Sequence, residues 1–273
     1  MSTYIEIKIT VGNKEQQEIL LARLAAAGAN GFQEEKDMLK AFVAAEMYDE
    51  PLFTSILQDQ GVAFQVAEIK ETNWNAAWEA GFEPVRIGHF CAIRAGFHPP
   101  ITDVQYEIVI TPKMSFGTGH HGTTHMMMAA MEQLPVKGAS VFDFGTGTGV
   151  LAILAEKMGA ASIAAIDNDD WSIANAMENF NANNCSKVLL IKQETIVSED
   201  AYNIILANIN RHIILEQLPV IQQHLLPGGV VLFSGLLTGD KPLVLEKAGV
   251  HQLALVQEWE MNGWICLLMV NHQ

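Results

Sequence analysis

A doubly wound α/β fold is predicted for most of this 273-residue chain, and a small α+β domain for its first part. Strand-like and helix-like segments alternate from residue 140 onward, as they do in a parallel sheet covered by helices. A glycine-rich turn separates the first of these strands from its helix. Residues 3–68 follow instead the order β-α-β-β-α-β, which is the ferredoxin-like pattern. One large and one small domain also suit a chain of this length.

The small domain is predicted to cover residues 1–69. Apolar and polar residues alternate from Tyr4 to Val11, as in a half-buried strand. Ile19, Leu20 and Leu24 share one face of a predicted helix that ends at Gly28. The other predicted elements are strands at 31–34 and 39–45, a helix at 51–60 and a strand at 62–69. These residues hold no catalytic cluster, so we expect a docking or substrate-recognition domain.

Residues 70–84 are predicted to be a linker to the larger domain, which covers 85–273. Trp74 and Trp78 are four residues apart and would share one face of a helix. Packing of the connector against a domain is the favoured interpretation, and stacking on a substrate is the alternative. Short strands at 90–93 and 105–110 are predicted to form an accessory layer at the start of the larger domain.

The glycine turn begins the predicted nucleotide-binding unit. A buried strand at 140–144 leads into Gly145, Gly147 and Gly149, and an Ala/Leu/Ile-rich helix follows. In such a unit the backbone approaches the ligand closely and the helix N-terminus supplies free N–H groups. The next predicted strand ends on Asp167, where a carboxylate can accept hydrogen bonds from both hydroxyls of a ribose.

The residues around the turn indicate which nucleotide it binds. A dinucleotide fingerprint requires glycine where this chain has Val150, which disfavours an NAD-linked oxidoreductase. The pattern Asp143-x-Gly-x-Gly-x-Gly resembles instead motif I of class I S-adenosylmethionine methyltransferases. An acid two residues before the first glycine suits a sulfonium ligand with an amino-acid tail better than it suits a pyrophosphate.

A second glycine-rich loop covers residues 114–124. It ends in Thr123 and Thr124, which are predicted to cap a helix at about 125–134 and to favour a carboxylate at its N-terminus. His120, His121 and His125 lie close together, but no nearby acid completes a metal site. We therefore predict no metal, and expect hydrogen-bonding or capping roles for these histidines.

The rest of the larger domain continues the β/α alternation. The strand at 202–207 is almost wholly apolar, as a central parallel strand should be, and it ends at Asn208. Gln193 and Glu194 follow another strand and could meet an adenine amine. The other predicted elements are helices at 171–182, 213–225 and 241–248, strands at 187–191, 230–234 and 252–258, and a hairpin turn at 262–263 leading to a strand at 264–270. Gly145, Asp167 and Asn208 all fall at carboxyl ends of strands, where ligands of such sheets bind.

Three motifs make the chain resemble the ribosomal protein L11 methyltransferases. They are Phe116-Gly117-Thr118-Gly119 through Thr123-Thr124, then Asp143 to Gly149, then Ala207-Asn208-Ile209. The resemblance implies a seven-stranded class I methyltransferase domain of Rossmann-like type behind a small recognition domain. One departure is Gly122, where the family usually has proline, which loosens the loop.

The resemblance also implies the site and its chemistry. S-adenosyl-L-methionine is the implied cofactor, with contacts at the positions of the residues Thr124, Gly145, Asp167 and Asn208, and we add Gly147 and Phe116. The implied reaction is methyl transfer to lysine side chains, or to the N-terminal amine, of a basic ribosomal protein. No dedicated base is evident, and Asn208 is expected to orient the amine. The alternatives are a class I methyltransferase for another protein lysine or a small amine, and a catalytically inactive binding module.

Composition limits the partners. The net charge of −15 would repel nucleic acid and attract a cationic partner, although solubility alone could explain it. Three widely spaced cysteines argue against disulfides and fit a reducing cytoplasm. Neither a secretion signal nor an apolar run long enough for a membrane helix is evident. We expect a cytoplasmic monomer that binds neither membrane nor nucleic acid.

Overall fold

A computed structural model describes residues 3–29, 31–35, 38–70, 82–113, 115–197 and 199–272. Its chain divides into two compact units, Met1–Gly81 and Phe82–Gln273. Trp74 and Trp78 lie outside the described residues, as does most of the predicted linker.

The first unit is a four-stranded sheet with two helices. Its elements are β1 (Thr3–Thr10), α1 (Lys14–Ala26), β2 (Gly31–Glu35), β3 (Met38–Ala44), α2 (Glu50–Asp59) and β4 (Phe64–Lys70). All pairings are antiparallel and the strand order is β2-β3-β1-β4, the order of a ferredoxin-like unit. Ile7, Leu24 and Phe53 are fully buried in its core. The side chains of Asn13 and Asp49 cap the two helices.

A small three-stranded sheet begins the second unit. It consists of β5 (Val85–Ile87), β6 (Cys91–Ala95) and β7 (Tyr106–Ile110). Strand β6 is antiparallel to β5 and parallel to β7. The accessory layer predicted from the sequence is therefore present, with one additional short strand, β5.

A seven-stranded sheet dominates the second unit. Its elements are α3 (Gly122–Met131), β8 (Ser140–Phe144), α4 (Val150–Lys157), β9 (Ser162–Asp167), α5 (Asp170–Ala182), β10 (Val188–Lys192), β11 (Tyr202–Asn208), α6 (Arg211–Gln223), β12 (Leu225–Leu237), α7 (Lys241–Val250), β13 (Leu253–Met261) and β14 (Trp264–Asn271). The strand order is β10-β9-β8-β11-β12-β14-β13; β14 is antiparallel to both of its neighbours, β12 and β13, and the other pairings are parallel. The predicted doubly wound sheet with a terminal hairpin is confirmed.

Both faces of this sheet are apolar because its central strands alternate between two cores. In β8, Val141 packs in the core that includes α3, α4 and α5, whereas Phe142 packs in the core that includes α6 and α7. Ile204 and Ile205 of β11 divide in the same way. Burial on both faces fixes the strand register, so the carboxyl ends of β8, β9 and β11 come together at one edge.

Two predicted boundaries are wrong. Helix α3 begins at Gly122, so Thr123 and Thr124 lie inside its first turn, and His121 rather than a threonine is the N-cap. Helix α6 ends at Gln223, and the segment from Pro227 to Gly229 lies within β12 instead of ending the helix. The register between β11 and β12 shifts at that segment, which is how a strand accommodates proline and glycines.

Candidate functional site

The turn after β8 is bonded to the end of β9. The backbone N–H groups of Gly145 and Thr146 donate to the carbonyl of Ile166, at 2.9 and 2.8 Å. Gly147 N–H donates to Asp167 Oδ2 at 2.9 Å, and Asp169 N–H donates to Asp167 Oδ1 at 3.0 Å. The predicted carboxylate thus lies beside the glycine turn, oriented by two backbone donors. Each of its oxygens retains a lone pair for a ligand hydroxyl.

Glycine is required at the centre of this turn. Gly147 has φ of +55°, and a Cβ there would lie 2.3 Å from the carbonyl oxygen of Phe116. That oxygen accepts from Thr148 N–H at 2.9 Å, and Thr148 Oγ1 donates to the carbonyl of Gly117 at 2.7 Å. The loop that contains Phe116 is therefore attached directly to the turn.

Asp143 lies beneath the turn and not in the cleft. Its carboxylate accepts from Thr146 Oγ1 at 2.6 Å and is almost fully buried. Burial raises the pKa of Asp143 to about 7, against the Thr146 hydrogen bond, which lowers it. The acid of the motif thus supports the turn rather than facing the ligand.

Two asparagines of α5, Asn175 and Asn179, and its C-cap, Asn183, attach β7 and the residue after it to the helix; Asn175 Nδ2 donates to the carbonyl of Thr111 at 3.0 Å. Asn179 Oδ1 accepts from Thr111 N–H, and Asn179 Nδ2 donates to the carbonyl of Thr148 in the glycine turn, both at 2.8 Å. Asn183 makes the same kind of pair with Val109, at 3.0 and 2.6 Å. Asn179 therefore connects the glycine turn to the residue that follows the accessory sheet, a role that the sequence analysis missed.

The end of β11 presents a polar group without a hydrogen bond. Asn208 Nδ2 donates to Thr124 Oγ1 at 3.2 Å, but no donor in the described parts of the chain reaches Asn208 Oδ1. A buried amide oxygen of this kind costs free energy unless a ligand satisfies it. Thr124 is only 1% exposed and lies behind Asn208, outside the lining of the cleft.

Three aromatic side chains form a row along one side of the cleft. His121 lies between Phe116 and Trp264, with ring centroids 5.2 and 4.8 Å away. His121 Nδ1 also accepts from Thr123 N–H at 3.3 Å, which caps α3 as expected for these histidines. Trp264 begins β14 and comes from a distant part of the sequence.

These features enclose one cleft of about 390 Å³, a usual size for a small-molecule site. Five predicted residues line it, namely Phe116, Gly145, Gly147, Asp167 and Asn208, whereas Thr124 does not. Gln193 and Glu194 also line it, at the position suggested for adenine recognition. The sequence analysis did not assign to the cleft several other lining residues, including His121, Thr123, Asn168, Ser172, Ile209, Asn210, Ile213, Gly235 and Trp264.

Within the described residues no group of three or more histidine, cysteine or acidic side chains could hold a metal ion. None of the helices that the structure describes is both long enough and apolar enough to span a bilayer.

Comparisons with known proteins agree with this geometry. The model of the family described as ribosomal protein L11 methyltransferase (PrmA) matches residues 29–272. The ribosomal protein L11 methyltransferase of Porphyromonas gingivalis is 37% identical, covering 92% of this chain and 89% of that protein. That of Phocaeicola vulgatus is 32% identical, covering 98% of this chain and 99% of its own.

Solved structures give the same picture. The ribosomal protein L11 methylase of Lactobacillus delbrueckii subsp. bulgaricus superposes with a TM-score of 0.66 at 29% identity. The match covers 70% of this chain and all of that one. A methyltransferase from Pyrococcus furiosus shares the fold, with a TM-score of 0.52 at 19% identity over 60% of this chain and 89% of its own.

Proposed function

Because the chain belongs to the ribosomal protein L11 methyltransferase family, we propose that it transfers methyl groups from S-adenosyl-L-methionine to amines of ribosomal protein L11. The observation that supports this most directly is the cleft itself. It combines an oriented carboxylate, a glycine turn and an unsatisfied amide oxygen within one ligand-sized space.

The residues present fit the methyl donor at both of its ends. Asp167 would hold the ribose hydroxyls, since two backbone donors already fix its carboxylate. Gly145 and Gly147 line the cleft, so the backbone of the turn would meet the amino-acid end. Phe116 would cover the ligand from the attached loop. When bound, the donor supplies an electrophilic methyl group on a positively charged sulfur.

Asn208 is proposed to orient the acceptor. Its amide N–H is held by Thr124, so the side chain presents its oxygen. That oxygen can accept a hydrogen bond from a neutral amine and leave the nitrogen lone pair free for the reaction. Thr124 thus acts through Asn208, which explains how a residue outside the cleft can matter to the site. We infer that alignment, not covalent catalysis, is the main contribution of the protein.

The proton of the acceptor must leave before transfer. A lysine in water has a pKa near 10, and transfer into a partly apolar cleft favours its neutral form. Phe116 and Trp264 supply such apolar surface in the cleft that Asn208 also lines. Among the lining residues we assign no dedicated base.

The acceptor is proposed to be one or more lysines, or the N-terminal amine, of L11. The net charge of −15 would speed the approach of a basic ribosomal protein and disfavour nucleic acid. Residues 1–69 are proposed as the recognition domain, 70–84 as its linker and 85–273 as the methyltransferase domain. We propose a monomer that works in the cytoplasm, where free cysteines persist and ribosomal proteins are made.

Mass spectrometry would test this function. Purified L11 and a mixture of other ribosomal proteins are incubated with the enzyme and isotope-labelled S-adenosylmethionine. Labelled methyl groups on L11 amines, and not on the other proteins, are the expected result. Label on another protein or on a small amine alone would replace L11 as the substrate while leaving the methyltransferase assignment intact.

A further inference from the structure

A large aromatic side chain is exposed next to the cofactor cleft. Trp171 lies in the first turn of α5 and is 80% exposed. It borders a concavity of about 640 Å³ that Lys113, Ser115, Phe116, Asp169 and Ser172 also line. Phe116 and Ser172 line the cofactor cleft as well, so the two spaces are adjacent.

Neither the core nor the cofactor site explains Trp171. It belongs to neither hydrophobic core of the second unit and does not line the cofactor cleft. The backbone around it is nevertheless fixed, because Asp169 Oδ2 accepts from Ser172 N–H at 2.8 Å and from Ser172 Oγ at 3.1 Å. A large aromatic ring exposed to water on a fixed backbone is typical of the residues that contribute most to protein interfaces.

The charges around the concavity favour a cationic partner. Its lining has one lysine, Lys113, and one acid, Asp169. With Asp170, Glu178 and Lys192 next to them, three acids face two lysines, and each lysine is paired with an acid. Lys113 pairs with Glu178, and Lys192 Nζ lies 2.6 Å from Asp170 Oδ1. Asp169 adds a further carboxylate. A lysine or arginine lying on the indole face would gain a cation–π contact and remain close to these acids.

We propose that Phe116, Asp169, Trp171 and Ser172 form a docking patch for the basic stretch of substrate chain next to the acceptor amine. The proposal deepens the proposed function and rests on it. A protein that inserts one amine into the cleft must lay its neighbouring residues on the rim, and this patch is the rim beside Phe116. Trp171 is the residue that discriminates a basic segment from a neutral one.

The test compares Trp171→Ala with Trp171→Phe in the full chain. Val250→Ala is the matched control, because Val250 is 71% exposed at the end of α7 and takes no part in the cleft. For Trp171→Ala we expect the KM for L11 to rise about tenfold, in line with the loss of an interface tryptophan. The value of kcat and the affinity for S-adenosylmethionine measured by calorimetry should stay the same. For Trp171→Phe the rise in KM for L11 should be smaller, because an aromatic ring remains. For Val250→Ala the KM should equal that of the parent.

Two results would overturn the patch. An unchanged KM for L11 in Trp171→Ala would show that the substrate does not touch the indole. A parallel loss of cofactor affinity would make Trp171 part of the cofactor site instead. Absence of L11 methylation by the parent enzyme would contradict the proposed function itself, and is thereby distinguished from failure of the patch.

Discussion

The turns that follow β8 and β11 are neighbours in the sheet and yet are built in opposite ways. In the first, Gly147 N–H, Thr148 N–H and Thr148 Oγ1 all have acceptors within the protein. In the second, Asn208 has a satisfied N–H group and an oxygen that receives no hydrogen bond from the described residues. The first turn is thus a rigid support for a ligand, whereas the second reserves one polar atom for it.

The largest effect is expected from Gly147→Ala. The new Cβ would lie 2.3 Å from the Phe116 carbonyl oxygen in a turn with φ of +55°, so the turn and the attached loop must separate. We expect S-adenosylmethionine affinity to fall by more than about a hundredfold in calorimetry, since the rigid support would be lost.

Gly138→Ala is the control for that variant. Gly138 also has positive φ, at +79°, but a Cβ there has no neighbour within 4 Å. It should cost about 1 kcal/mol of stability and leave cofactor affinity unchanged. Equal losses of affinity in both variants would attribute the effect to backbone strain and not to the contact with Phe116.

Asn208→Ala examines the second turn. Removal of the reserved oxygen should lower kcat about a hundredfold, as loss of one positioned polar group does in other enzymes. The melting temperature should fall only slightly, because among the described residues the amide gives up one long hydrogen bond, from Nδ2 to Thr124 Oγ1 at 3.2 Å, and the oxygen gives up none. Asn203→Ala, at the other end of β11, should lower the melting temperature and leave kcat unchanged, since Asn203 Oδ1 accepts from Ser140 N–H at 2.9 Å. Unchanged turnover in Asn208→Ala would remove Asn208 from the mechanism.

Asp143→Asn tests how the first turn depends on pH. The pKa of Asp143 in the folded protein is about 7, above the ordinary value of 3.8. Below about pH 4 both folded and unfolded chains bind this proton. Between pH 4 and 7 only the folded chain keeps it, so stability falls as pH rises through that window.

Asparagine cannot ionise but can still accept from Thr146. Between pH 5 and pH 8 the free energy of unfolding of the variant should therefore rise by roughly 2 kcal/mol relative to that of the parent. Chemical unfolding of both proteins at each pH would measure this difference. A difference between the two proteins that does not change with pH would show that Asp143 does not titrate in this range.

The smallest effect is expected from Asn179→Leu. The substitution removes the donor to the Thr148 carbonyl, which loosens the first turn without obstructing it. Cofactor affinity should weaken roughly tenfold, equivalent to about 1.4 kcal/mol. Asn183→Leu removes the analogous bonds to Val109 and should lower the melting temperature but not the affinity. The same loss of affinity in both would mean that α5 acts only through general stability.

The sequence was sufficient for features that depend on neighbouring residues. The strand, glycines and helix around Gly147 form one local pattern, and the next strand delivers Asp167 to the same edge by topology alone. Strand β5 was missed because three residues carry too little periodicity to be recognised. Thr124 was assigned to the cleft, but α3 begins early enough to turn it inward behind Asn208.

Other features depend on contacts between distant segments. Trp264 reaches His121 because β14 pairs with β12, a relationship that no local pattern encodes. Asn179 bonds to Thr148 and Thr111 because of how α5 packs. From the sequence alone this asparagine could equally lie on the solvent-exposed face of the helix. The sequence thus predicts the support for the ligand better than it predicts the surfaces around it.

The position of β14 has a consequence for how the enzyme can be shortened. Although it follows β13 in the chain, it is inserted between β12 and β13 and bonded on both sides. Truncation before Trp264 would not remove an edge strand. It would open a gap inside the sheet, leave β13 without its hydrogen-bonding partner and remove Trp264 from the lining of the cleft.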